Sequence, residues 1–501
     1  MGRGPMNPNR IRRAALGGTA VLAMGIALAA GAVAQTEPVA QGALPPSVET
    51  SPLSEADPSA AGLLSPATTG LPVTLWKASD PANLAVLIAA VELPVPAMQR
   101  LMRTLILTEA EPPAGDARLA FLDGRLNWLT SQGAVEEALA LLDITGVDDP
   151  RLFAHWVDLS LLLGQSEPVC DKLEVQPRLS SDLSLRVFCT ARKGDWERAA
   201  LILQSARTLG DISGRRAELL TRFLDPEAGD GRALLPPVRP SPLEFRLFEA
   251  LGEPLPTAPL PLPFAVLDLS GDNGWRTQIE AAERLARAGS LPPNRLLGIY
   301  TLRRPAASGG IWDRVKALQD FEAALERGVP EGVARALVQV WPQMAHARML
   351  SPFADLYAED IAEVDVNGRA QQMARRARFL TAGYEDLSLT LEDDDGREAR
   401  FLTDIARGIA PDELPPLPHA EAVAAGFTEG ATMPQVLATQ LDSGRLGEVI
   451  LRAMALFASG AEGNGQDLTD AIATFRALGL EDTARRAALE LMILDAERAL
   501  Q

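Results

Sequence analysis

Cys170 and Cys189 are the only cysteines in the chain, 19 positions apart. Each lies in a stretch of helical periodicity, residues 166–174 and 181–192, so the two would face one another across one hairpin. In an oxidising compartment that spacing predicts a disulfide. Two buried free thiols are the alternative, and the absence of a C-x-x-C argues against a redox pair. His155, His346 and His419 are the only histidines. No H-x-x-H or H-E-x-x-H links any of them, so no zinc site is expected. Neither a G-x-S-x-G elbow nor a glycine-rich phosphate loop occurs. Glu363, Asp365 and Asn367 alternate ahead of Gly368 at the spacing of a calcium loop. The twelfth position is Ala374, which cannot supply the closing carboxylate. The acids 392–395 fail in the same way, with Leu391 and Leu402 in the first and last ligand positions. These residues predict no catalytic side chain, no metal and no cofactor.

Charge narrows the partners. Acidic residues outnumber basic ones 66 to 47, a net charge of −19. Such a surface repels nucleic acid and anionic lipid, so no nucleic-acid partner is expected. The bland reading of the charge is solubility.

The N-terminus reads as an address. Arg10, Arg12 and Arg13 precede an apolar run from Ala14 to Gly31, and Ala32-Val33-Ala34 is an A-x-A cleavage site. We expect a Sec-type signal peptide over 1–34, cleaved between Ala34 and Gln35, and a periplasmic or secreted product with no stable membrane insertion. An uncleaved anchor is the competing reading. Residues 35–70, rich in Pro, Ala, Ser and Thr, are expected to be a disordered tether.

From residue 71 helical patterns follow one another with short connections. The sequence predicts an all-α fold: an irregular array of helical hairpins, an α-solenoid or superhelix. The clearest unit is 191–210, where Gly194 ends one helix, Asp195 caps the next and Gly210 ends it. Trp196, Ala199, Ala200, Leu203 and Ala206 recur along its apolar face, with Trp196 as a packing anchor. Gly133, Ala138 and Leu142 repeat the offsets of Gly194, Ala199 and Leu203, and Gly444 with Val449 starts a looser copy. These offsets resemble the second half of a tetratricopeptide repeat, in which a turn glycine precedes a small residue where two helices approach. The resemblance implies a degenerate helical-repeat scaffold. The array also resembles the superhelical part of periplasmic lytic transglycosylases. The catalytic Glu of that family lies in a Glu-Ser-x-aromatic context, and no Glu-Ser pair occurs here.

Prolines punctuate the array. An N-terminal helical region is expected over 71–234, a Pro-rich hinge over 235–263, a central region over 264–410 and a C-terminal region over 411–501. Residues 387–402 read as a loop or, through Asp395-Gly396, a β-hairpin. The last helix, from Glu481, carries Ala484, Ala487, Ala488, Leu491 and Leu494 on one side. Arg485, Arg486 and Glu490 are expected on a polar outer side that closes the array. The chain is expected to be a non-catalytic scaffold that binds a protein or peptide of the cell envelope, or cell-wall glycan. An envelope glycan hydrolase with an unrecognised carboxylate site and a structural spacer are the alternatives.

Overall fold

Helix starts and stops follow the local chemistry. Asp80 and Asp149 precede prolines, and their carboxylates accept the Asn83 and Arg151 backbone N–H at 2.8 Å each, so Pro81–Ala90 and Pro150–Leu162 begin there. Glycines end many helices in the left-handed region. At Gly133, Gly194 and Gly444 the glycine N–H and the next N–H bond back to the closing turn in one shared pattern. The computed structural model describes residues 57–228, 234–269, 273–388 and 396–499. Every regular element among them is helical, with a single β-bridge between Leu64 and Thr108. No helix among the described residues is long and apolar enough to cross a membrane. The signal sequence, its cleavage site and residues 389–395 lie outside the described residues, although 384–388 and 397–407 on either side of the last are helical.

Ala56–Gln501 forms one compact unit. Neighbouring hairpins pack in series, as Leu183–Arg192 does on Trp196–Leu209 and Leu446–Ala461 on Gly465–Ala477. Contacts also run between residues hundreds of positions apart, which a solenoid that touches only its neighbours would not make. The Gly447 N–H donates to the Leu75 carbonyl at 3.1 Å. Pro96–Leu107 packs on Glu481–Ala499, and the Ser290 hydroxyl donates to the Gln132 carbonyl at 2.6 Å.

Four expectations need correction. Within the expected tether, residues 57–70 are folded. The Leu63 and Leu64 N–H groups donate to the Leu107 carbonyl at 2.8 and 3.0 Å. Arg125, 1 % exposed on an otherwise apolar helix face, reaches the Ile106 and Ser59 carbonyls at 2.7 and 3.2 Å. Burial lowers its pKa to about 10. The proline-rich hinge is a packed element, because the helix Pro242–Ala250 buries Leu243, Phe245, Leu247 and Phe248. Arg246 then ties it to the Leu161 carbonyl at 2.7 Å. The final helix has no polar outer side at Glu490, which is 1 % exposed. Its carboxylate accepts the Ala97 N–H at 2.5 Å, at the first turn of Pro96–Leu107, and bonds Arg100. Trp196 is 48 % exposed and Ala200 is also exposed, whereas Ala199 and Leu203 are buried. At the first position of its helix, Trp196 leans back beyond the packed seam, with its ring against that of Phe223 at 5.9 Å between centroids.

Cys170 and Cys189 form a disulfide with Cα atoms 5.0 Å apart. It lies in a second core, separate from the main one, with Phe153, Val169, Leu185 and Phe248. Replacing both cysteines with serine is expected to cost about 3 kcal/mol in the chain-entropy model for a loop of this size. Guanidinium unfolding should show a lower midpoint at nearly unchanged slope. An unmoved midpoint would mean that the hairpin core alone carries this region.

Candidate functional site

Helix periodicity builds the site. On Pro96–Leu107, Met98, Leu101, Met102 and Leu105 turn into the core. That leaves Pro96, Gln99, Arg100 and Arg103, at helical spacing, on another face. Those four residues line a cavity of about 870 Å³, within the range of ligand sites, about 300–1,000 Å³. The wall from Leu285 to Pro293 is the end of Trp275–Arg287, the turn at Gly289, and the start of Pro293–Tyr300. Arg348, Leu350, Ser351 and Asp355 enter from the turn before and the first turns of Leu350–Ala362. Leu494, Glu497 and Arg498 come from the final helix, and Trp128, Leu163, Val266 and Leu269 add apolar surface. N-terminal, central and C-terminal segments therefore meet here.

The wall is held from behind. Arg103 donates to the Gly289 carbonyl at 3.1 Å, and a buried triad fixes the two helices that flank the turn. Arg314 grips Glu283 through both carboxylate oxygens at 2.7 and 2.9 Å. The Tyr300 hydroxyl donates to the same carboxylate at 2.6 Å. Burial and the adjoining carboxylate raise the Tyr300 pKa, so the phenol keeps its proton. Burial works against the Arg314 charge, but the Glu283 carboxylate outweighs it and raises the Arg314 pKa.

Six arginines and four acids line the cavity: Arg100, Arg103, Arg287, Arg295, Arg348 and Arg498 against Glu136, Glu137, Asp355 and Glu497. Most are paired. Arg100 is held by Glu490, Arg103 by Glu137, and Arg498 by Asp495 at 2.7 Å. Glu497 is held by Arg376 at 2.5 Å, and Arg295 stands a loose 3.8 Å from Glu136. Among the described residues, Arg287 and Arg348 have no carboxylate partner, and Asp355 has no ion pair. Burial raises the Asp355 pKa, partly offset by Arg100 and Arg486. Burial likewise lowers that of Arg103.

Comparison with family models, with curated proteins and with solved structures finds no match for this chain. The function must therefore be argued from the site itself. Of the residues singled out by sequence, Gly133 and, from the final helix, Leu494 reach the cavity. Gly133 sits against the wall, where a Cβ would lie 2.5 Å from Leu285. Ala138 and Leu142 are fully buried beside it. Gly194, Trp196, Ala199, Leu203 and the disulfide belong to the hairpins around the second core. His419 faces Asp495 at 3.1 Å, His155 faces Asp123 at 3.4 Å, and His346 ends a helix. Among the described residues, no three His, Cys, Asp or Glu side chains gather as a metal site would require. Sequence reasoning missed the arginines. The signal available was Gln99, Arg100 and Arg103 along one face of an otherwise apolar helix.

Proposed function

We propose that the chain is an exported, non-catalytic helical scaffold that binds its partner at the arginine-lined cavity. The partner is a protein or peptide of the cell envelope, or cell-wall glycan. One observation carries this reading: in a chain of net charge −19, a ligand-sized cavity joins apolar walls to guanidinium groups without carboxylate partners among the described residues. The disulfide and the signal-like N-terminus support an oxidising compartment. Glycan hydrolysis is disfavoured because it uses two carboxylates. Glu136, Glu137 and Glu497 all face arginines, which leaves Asp355 alone.

Photo-crosslinking in living cells tests the proposal. A benzoyl-phenylalanine at the exposed cavity position Glu136 is expected to capture a defined partner, and one at Glu197, outside the cavity, is not. Equal labelling from both sites, or turnover of purified cell-wall material by the protein, would overturn the reading.

A further inference from the structure

Arg348 is the outlier of the cavity. It follows Pro330–His346 in the left-handed region, with φ 57°. Its N–H donates to the Ala345 carbonyl at 2.9 Å, and the Met349 N–H to the Met344 carbonyl at 2.8 Å. The same two bonds close the turns at Gly133, Gly194, Gly289 and Gly444, where the residue is glycine. A side chain in this conformation is unfavourable, and glycine is the usual occupant. Here the turn instead carries an exposed arginine that lines the cavity and has no carboxylate partner among the described residues. Strained backbone under an unpaired charge in a cavity is a mark of function rather than of stability. Arg287 adds a second guanidinium, which donates to the Glu283 carbonyl at 3.1 Å and has no carboxylate partner among the described residues. The apolar remainder of the lining includes Trp128, Val266, Leu269 and Leu285.

We infer that the cavity takes an amphipathic oxyanion. The carboxylate, sulfonate or phosphate head is held by the unpaired guanidinium groups, Arg348 foremost, and the apolar body lies against the Trp128 and Leu269 side. Guanidinium forks match such oxyanions through charge-assisted hydrogen bonds. This inference rests on the reading of the cavity as the binding site and names the chemistry of what enters it.

Two dyes separate the head from the body. 8-Anilino-1-naphthalenesulfonate carries a sulfonate, and N-phenyl-1-naphthylamine has the same aromatic body without it. Fluorescence titration of the intact protein is expected to show saturable, one-to-one binding of the sulfonate. Arg348→Gly should weaken it about tenfold, the scale of one lost charged contact, and Arg287→Gln should weaken it in the same direction. The neutral dye should be unaffected by either, and Arg216→Gln, outside the cavity, should change nothing. Because glycine suits the turn, Arg348→Gly should melt no lower than wild type, so the loss cannot be unfolding. Decanoate and decyl phosphate should both displace the sulfonate dye, and decanol should not. If Arg348→Gly leaves sulfonate affinity unchanged, or decanol competes equally, the oxyanion assignment falls while the cavity reading stands. If neither dye binds saturably, both fall.

Discussion

Replacing Arg314 with alanine is expected to cost about 3–5 kcal/mol, the usual scale for stranding one partner of a buried ion pair. Glu283 has only 6 % of its side chain exposed, and Arg314 has 13 %. Without the guanidinium, the Glu283 carboxylate keeps, among the described residues, only the Tyr300 hydroxyl as donor, and a buried charge with one hydrogen bond is poorly compensated. The damage should reach beyond one contact. Glu283, Tyr300 and Arg314 belong to Trp275–Arg287, Pro293–Tyr300 and Ile311–Arg327, so the triad clamps both helices that flank the cavity wall. Chemical denaturation of Arg314→Ala against wild type measures the cost. The double variant Glu283→Gln with Arg314→Met removes both charges and should recover most of the loss, because the penalty belongs to the orphaned charge and not to the missing attraction. If the double variant is as unstable as the single one, packing around Arg314 explains the effect instead.

Gly447→Val carries the second large expectation. A Cβ at this position would lie 2.3 and 2.4 Å from two ring carbons of Trp76, and 3.0 Å from the Leu75 carbonyl oxygen. Trp76 cannot swing aside: it is 1 % exposed and packs on Phe121 at 5.2 Å. Overpacking of this kind costs about 1–3 kcal/mol and occasionally more, and valine should fall at the upper end. The contact joins residues 71–79 to Leu446–Ala461, where the C-terminal block meets the N-terminal one. Trp76→Leu opens the space the valine needs. The two substitutions together should therefore cost less than the sum of their separate effects, and a thermodynamic cycle reads that coupling directly. Strict additivity would mean that the helix backbone shifts to absorb the extra carbons.

The helices were legible in the sequence because their signals are local. Asp80-Pro81 and Asp149-Pro150 begin helices, Gly194 and Gly210 bracket one, and the all-α fold follows. What joins one end of the body to the other was not legible. Glu490 sits among Arg485, Arg486 and Asp495, and by spacing alone it belongs on a solvent face. Its partners, the buried Ala97 and the half-buried Arg100, lie some 390 positions away, and no periodicity encodes that meeting. The cavity escaped notice for the same reason, since its lining comes from seven separated segments that only tertiary contacts bring together. Arg348 was hidden in a different way. Ala345-His346-Ala347-Arg348-Met349 contains neither glycine nor proline, so the left-handed turn leaves no mark in residue type. Arg125 did leave one, a lone arginine among Phe121, Leu122, Leu126 and Leu129.

Hydrogen exchange with and without saturating 8-anilino-1-naphthalenesulfonate tests most directly whether the arginine-lined cavity is the binding site. Binding there should slow amide exchange in the wall 285–295, in 345–355 around Arg348, and in the first turns of Pro96–Leu107, while the disulfide hairpin 166–192 stays unchanged. Protection confined to 166–209, or dye bound with no change at 285–295 and 345–355, would contradict the account.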